Sequence, residues 1–176
     1  MKKYKLFLGI VLSILFETAT AQTEWNTIIK TYNGNEYIIK SSEYIYAIKN
    51  IKYDFSDVTC DVEFEGESDK EFNIRRESVC KEIYEILNNI FNFNNIPFNL
   101  DESYQLLIVC YFDSTTKNYI GAKFIFDTEV KDYFTLEKIN HAEVQLSKAN
   151  INAGRTNLLN PNKKYFTIDI TMPIGN

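Results

Sequence analysis

Residues 105–112, with the sequence QLLIVCYF, are apolar at almost every position. A strand with one solvated face alternates apolar and polar residues, whereas a strand that is covered on both faces does not. This run therefore predicts the central strand of a sheet. Residues 119–126 follow after a polar turn and predict a neighbouring strand, with Ile120, Ala122 and Phe124 on one side.

The N-terminal part of the chain predicts an antiparallel hairpin. Two β-rich runs, residues 27–32 and 36–40, flank the sequence Asn33-Gly34-Asn35. Asn-Gly readily adopts the positive φ angles of a tight turn. Residues 44–48 predict a further strand.

Two other segments, residues 58–64 and 165–172, alternate between apolar and polar side chains. Period-two alternation is typical of a half-buried strand. Each segment therefore predicts one continuous strand with an apolar face toward the core.

Two helices complete the pattern. Ser68 and Glu71 have the spacing of a capping box, which predicts a helix over residues 69–91. A second helix is predicted over residues 135–149, with one apolar face: Ile139, Ala142, Leu146 and Ala149. The chain is expected to be an α+β protein, an antiparallel sheet with two amphipathic helices packed on one face. About 150 residues suffice for one core, so we expect residues 22–176 to form a single domain.

Residues 1–21 predict a secretory signal peptide. Three lysines precede an apolar run at residues 6–16, and the triplet ATA at residues 19–21 provides the small residues of a cleavage site. The run is shorter than the ~20 residues that a membrane-spanning helix needs. We expect cleavage after Ala21, a mature chain without a membrane span, and a location in the periplasm or outside a bacterial cell.

The charge of the chain argues against two classes of partner. Its formal net charge is −5, and the predicted signal peptide contains more lysines than acidic residues. An acidic protein lacks the positive surface that attracts nucleic acid or anionic lipid. Neither is expected as a partner, and the predicted export signal instead favours an envelope protein or peptide.

Few residues are suited to catalysis or metal binding. The only histidine, His141, is predicted to face solvent, about 200° around the second helix from Ile139. Without a second histidine or clustered thiols, the chain is not expected to assemble a typical zinc site. The alternating carboxylates of the acidic run at residues 54–71 could offer oxygen ligands to calcium, but their spacing does not match the EF-hand loop. A solvated strand edge and turn is the favoured interpretation. We predict no catalytic residue, no metal and no cofactor.

The cysteines leave two alternatives open. Cys60, Cys80 and Cys110 allow three one-bridge pairings in an oxidising compartment. Either all three are small buried side chains, or one internal disulfide forms, for which we predict Cys60 with Cys80.

The loop at residues 91–99 mixes phenylalanine with asparagine. Rigid rings beside amide groups are suited to binding a partner, and Phe93 and Phe98 are the candidate binding residues. The alternative is that these rings fold over the end of the core.

A longer pattern spans residues 104–173. It combines the strand IVCYFD at 108–113, a returning strand, the second helix and the segment KKYFTIDITMPI at 163–174. In the order of these elements the chain resembles the C-terminal domain of TonB-type energy transducers. That resemblance implies an envelope module that pairs its edge strand with a peptide of a partner. The chain also resembles the small secreted proteins of unknown function that are common in gut Bacteroidetes.

Together these features favour a noncatalytic, extracytoplasmic binding module of a bacterial envelope. One alternative is a small hydrolase or small-ligand binder that uses a pair of carboxylates. Another is a subunit of a surface assembly built by strand addition.

Overall fold

The computed structural model of the protein describes residues 25–52, 58–59, 62–63, 69–93, 104–154, 157–158 and 162–174. Its strands are β1 (Asn26–Tyr32), β2 (Asn35–Ser41), β3 (Ile45–Asn50), β4 (Val58–Thr59), β5 (Val62–Glu63), β6 (Tyr104–Asp113), β7 (Tyr119–Asp127), β8 (Asn157–Leu158) and β9 (Tyr165–Ile174). Its α-helices are α1 (Asp69–Phe91) and α2 (Leu136–Lys148), and a short 3-10 helix spans Thr128–Val130.

Seven of these strands form one sheet in the order β1-β2-β3-β7-β6-β9-β4. Neighbouring strands are antiparallel from β1 to β9, and β4 joins β9 in parallel. The predicted central strand is confirmed, because β6 pairs with β7 on one side and with β9 on the other. β5 and β8 form a separate two-stranded sheet.

The core lies between this sheet and the two helices. One row of paired residues crosses five strands and is buried at every position: Ile39, Ile48, Phe124, Ile108 and Ile170. Residues from both helices belong to the same buried cluster: Val79, Ile83 and Leu87 of α1, and Ile139, Ala142 and Leu146 of α2. Because both helices pack against this row, the predicted α+β fold with two helices on one face is confirmed.

The single strand predicted over residues 58–64 is wrong. Val58–Thr59 pairs with β9 in the large sheet, whereas Val62–Glu63 pairs with β8 in the small one. Alternation reports that a segment is half buried, and it carries no information about which strand will be its partner.

The predicted hairpin is confirmed with a shorter turn. Only Asn33 and Gly34 separate the strands, with φ angles of 47° and 77°. Both angles are positive, as a tight turn between antiparallel strands requires.

The predicted signal peptide lies outside the described residues, so it stays a prediction, as does the extent of the domain. No helix in the described part of the chain has the length and apolar character needed to cross a membrane.

Candidate functional site

A buried group of polar side chains lies where α2 crosses β2 and β3. Tyr37 and Asn50 face each other on these two strands. Asn140 and Glu143 are three residues apart on α2, so they share one face of that helix. We call these four residues the polar cluster; their exposures are 0%, 8%, 7% and 9%.

The polar cluster is joined by three side-chain hydrogen bonds. The Tyr37 hydroxyl donates to Glu143 Oε2 at 3.0 Å, and Asn50 Nδ2 donates to the same oxygen at 3.2 Å. Asn140 Nδ2 donates to the Tyr37 hydroxyl oxygen at 2.8 Å. Asn50 is itself fixed, because its Oδ1 accepts from the backbone N–H of Lys52 at 2.9 Å. The cluster therefore ties α2 to two strands that lie about a hundred residues earlier in the chain.

Burial dominates the electrostatics of the polar cluster. It raises the pKa of Glu143 to about 7, although the hydrogen bonds from Asn50 and Tyr37 act in the opposite direction. Burial also raises the pKa of Tyr37, and the negative charge of the neighbouring Glu143 carboxylate raises it further. Glu143 is consequently a buried carboxyl that exchanges its proton near neutral pH.

A groove opens beside the polar cluster. Its volume is about 720 Å³, and it is lined by residues of the β1–β2 turn, α1 and α2: Tyr32, Asn33, Ile90, Thr135, Glu137, Lys138, Asn140, His141 and Val144. A second hollow of about 420 Å³ shares Ile90 and His141 with it. Asn140 is the member of the polar cluster that reaches the groove.

A second carboxyl with a raised pKa lies elsewhere. Burial raises the pKa of Asp127, which pairs with Ile45 at the start of β3. Asn50, which contacts Glu143, lies five residues further along β3, or about 16 Å at the rise of a strand. Glycoside hydrolysis needs its two carboxyls within ~10 Å. These two acids therefore do not form a catalytic pair.

The outer strand β1 is the most exposed strand whose side chains are described. It forms the end of the large sheet, and six of its seven residues are exposed. Ile29 has 62% of its surface exposed, more than any other large aliphatic residue for which burial is described, and Ile28 has 38%.

The backbone of β1 is oriented by the hairpin. The Glu36 carbonyl accepts from Ile51 N–H at 2.9 Å, so the polar backbone groups of Glu36 point away from β1. Thr31 is opposite Glu36, and in such a pair both residues turn their N–H and C=O groups outward. Alternation along the strand places the backbone groups of Thr27 and Ile29 in the same direction. These residues present donors and acceptors on the side of β1 where no described strand pairs, which we call the free edge.

Features that usually protect an edge strand are scarce in β1. Natural edges are commonly interrupted by proline, bulges or several charges. β1 contains no proline, its register with β2 is continuous over seven pairs, and Lys30 is its one charged residue. At the other end of the sheet β4 has only two residues.

The structure describes one of the two predicted binding residues, Phe93. Phe93 has 2% of its surface exposed, and its ring centroid lies 5.7 Å from that of Phe91 and 5.9 Å from that of Tyr84. This position matches the alternative in which the ring covers the end of the core. Phe98 lies outside the described residues, and a binding role for either residue stays a prediction.

The predicted disulfide cannot be placed, because Cys60 lies outside the described residues and the pairing with Cys80 stays a prediction. Cys80 packs against the core and Cys110 is buried within it. Burial raises the pKa of the Cys110 thiol, and the nearby Cys80 contributes in the same direction. Cys110 is therefore a buried thiol in its protonated form.

His141 is exposed on α2, as its helical position predicts. Its Nε2 lies 3.1 Å from Nε2 of Gln145, one turn further along the helix. The acidic side chains of the run at residues 54–71 all lie outside the described part of the structure.

Sequence reasoning did not find the polar cluster, although one signal was present. Glu143 lies about 40° around α2 from Ile139, inside the apolar stripe that predicted the buried face. A carboxylate in an apolar stripe indicates a buried polar contact. Its partners on β2 and β3 could not be recognised without the tertiary structure.

Comparison with known proteins yields a structural similarity alone. No family model matches the chain, and no curated protein matches it. The structure is similar to the crystal structure of a DUF5043 family protein from Bacteroides uniformis, with a TM-score of 0.52 and 12% sequence identity. The match covers 84% of this chain and 90% of that one. It shows a shared fold and agrees with the resemblance to Bacteroidetes proteins of unknown function, whereas the TonB-type resemblance receives no support.

Proposed function

We propose that the protein is an extracytoplasmic, noncatalytic binding module that adds an extended polypeptide strand to β1. The observation that carries this proposal is the free edge of β1, with outward backbone groups at Thr27, Ile29 and Thr31. Strand addition uses such groups for affinity and alternate side chains for specificity.

The sequence supports the proposed location. A signal peptide at residues 1–21 would export the mature chain into the bacterial periplasm or beyond. The similarity to a Bacteroides protein is compatible with a bacterial envelope. N-terminal sequencing of native protein should begin at Gln22, and a native chain that begins at Met1 would contradict export.

Photocrosslinking in the cells that produce the protein tests the binding surface. A photoreactive amino acid at position 29 should form an adduct with a polypeptide, because a strand added to β1 would lie beside that side chain. The matched control is position 144, since Val144 is a similarly apolar residue on α2 with 39% exposure. Equal adduct yields at positions 29 and 144, or no adduct at either position, would contradict the proposal.

The groove favours one alternative, a small-ligand binder. It combines apolar Ile90 and Val144 with the amide of Asn140, a combination typical of small-molecule sites. An Asn140→Asp variant should then lose affinity for any small molecule that copurifies with the protein, while Val79→Ala, a core change on α1, should not. If the Asn140→Asp variant copurifies with as much of the small molecule as wild type does, the groove is excluded as the binding site of that molecule.

A further inference from the structure

We propose that the strand added to β1 is β1 of a second copy of this chain, in an antiparallel pair with Ile29 at the two-fold axis. This inference rests on the proposed function and specifies its partner. It predicts a symmetric dimer with a continuous sheet across both copies.

Backbone geometry permits this register. With Ile29 opposite the partner's Ile29, Thr27 lies opposite the partner's Thr31, and Thr31 opposite the partner's Thr27. Each of these residues directs its N–H and C=O outward, so each pair can exchange two hydrogen bonds. The pairing thus forms about six hydrogen bonds between the copies, and no outward group of these residues stays without a partner.

The side chains are self-complementary in the same register. On one face, Ile29 meets the partner's Ile29, and threonine meets threonine on either side. Within each copy Ile29 is already paired with Ile38, so four isoleucines would form one row across the junction. Aliphatic and threonine pairs are favourable cross-strand neighbours.

The charges also favour a symmetric pair. In this register Lys30 lies opposite the partner's Ile28, so the two lysines do not face each other. β1 contains no acidic residue although the chain as a whole carries a net charge of −5. Because each copy carries a net negative charge, the two copies repel each other, and dissolved salt screens that repulsion. We expect salt to strengthen the association.

One seven-residue strand pair is small beside a standard interface of about 1,600 Å². The dimer should therefore dissociate on dilution. Sedimentation velocity of the mature chain over a wide concentration series should show a reversible monomer–dimer equilibrium.

Charge substitutions at the axis test the register directly. Ile29→Lys and Ile29→Glu should each weaken dimerisation at least tenfold, because each places two like charges opposite one another. Mixing the two variants should restore a dimer containing one of each. Ser147→Lys and Ser147→Glu, at an exposed position of α2 outside both hollows, are the controls and should leave the equilibrium unchanged.

Several outcomes would overturn the inference. These are a wild-type chain that stays monomeric throughout, a dimer insensitive to both Ile29 substitutions, and a mixture that does not associate. A monomeric chain that still forms adducts with another protein from position 29 would overturn the second copy as partner and leave strand addition intact. A monomeric chain without such adducts would contradict both proposals.

Discussion

Glu143 accepts two hydrogen bonds and yet has a raised pKa, because the cost of burying its charge outweighs them. Its ordinary pKa is 4.5, and in the folded protein it is about 7. Between these values the folded state binds more protons than the unfolded state. The free energy of unfolding therefore falls as the pH rises through this interval. Above the interval it is about 3 kcal/mol lower than below it.

Replacing Glu143 with glutamine should remove this dependence. The Glu143→Gln variant keeps an oxygen that can accept from Tyr37 and Asn50, and it has no charge to bury. We expect it to unfold at higher urea concentration than wild type above neutral pH, with a gain of up to about 3 kcal/mol. Glu137→Gln, an exposed change on the same helix, is the control. Equal losses of stability with pH in wild type and Glu143→Gln would contradict this assignment.

The Tyr37 hydroxyl is the central member of the polar cluster, since it donates to Glu143 and accepts from Asn140. Tyr37→Phe preserves the ring and leaves both partners short of one hydrogen bond. We expect a loss of about 1–3 kcal/mol in denaturant unfolding. Tyr44→Phe, at a tyrosine with 69% exposure, should have little effect. A loss equal to that of Tyr44→Phe would show that the hydroxyl adds nothing to stability.

At the scale of elements, local chemistry predicts much of the structure. The capping box and apolar stripe predict α1 at its observed bounds, and Asn-Gly predicts the turn of the β1–β2 hairpin. On α1 the helical spacing of Val79, Ile83, Ile86 and Ile90 predicts the apolar stripe, with Leu87 beside it. Leu87 is instead fully buried, while Ile86 and Ile90 are half-buried and line hollows beside α2. Which flank of an apolar stripe is covered depends on the neighbouring helix, and the helix sequence does not contain that information.

Gly34 gives a test of the hairpin. Its φ of 77° is unfavourable for a residue with a side chain, although an added Cβ would meet no atom within 4 Å. Gly34→Ala should therefore destabilise the protein by about 1–2 kcal/mol through backbone strain alone. Gly34→Asn should cost less, because asparagine tolerates this conformation. Thermal unfolding compares the variants, and equal losses would exclude strain as the cause.

At the scale of the whole molecule, the order in which the strands pair could not be predicted from the sequence. Alternation identified β7 and β9 as strands, and the doubly apolar run identified β6 as central. Nothing local indicates that β3 pairs with β7, whose paired residues lie 74 to 82 positions further along, or that β1 lies at the end of the sheet. The free edge on which the proposed function depends is therefore a property of the tertiary fold.

Amide hydrogen exchange should reveal this arrangement in the monomeric Ile29→Lys variant. Thr27 and Thr31 should exchange rapidly, whereas Ile28 and Lys30, whose N–H groups point toward β2, should be protected. Amides in the middle of β6 should be slowest, since strands flank it on both sides. NMR-detected exchange measures each site, and uniform protection along β1 would contradict the outward orientation of its backbone.

Trp25 is the sole tryptophan of the chain, and it immediately precedes β1 with 38% of its surface exposed. In the proposed register it would lie opposite the partner's Asn33, close to the tip of the other hairpin. Its indole is therefore a built-in optical probe at the junction. Emission should shift to shorter wavelength as copies associate, so fluorescence during simple dilution can follow the equilibrium without any label.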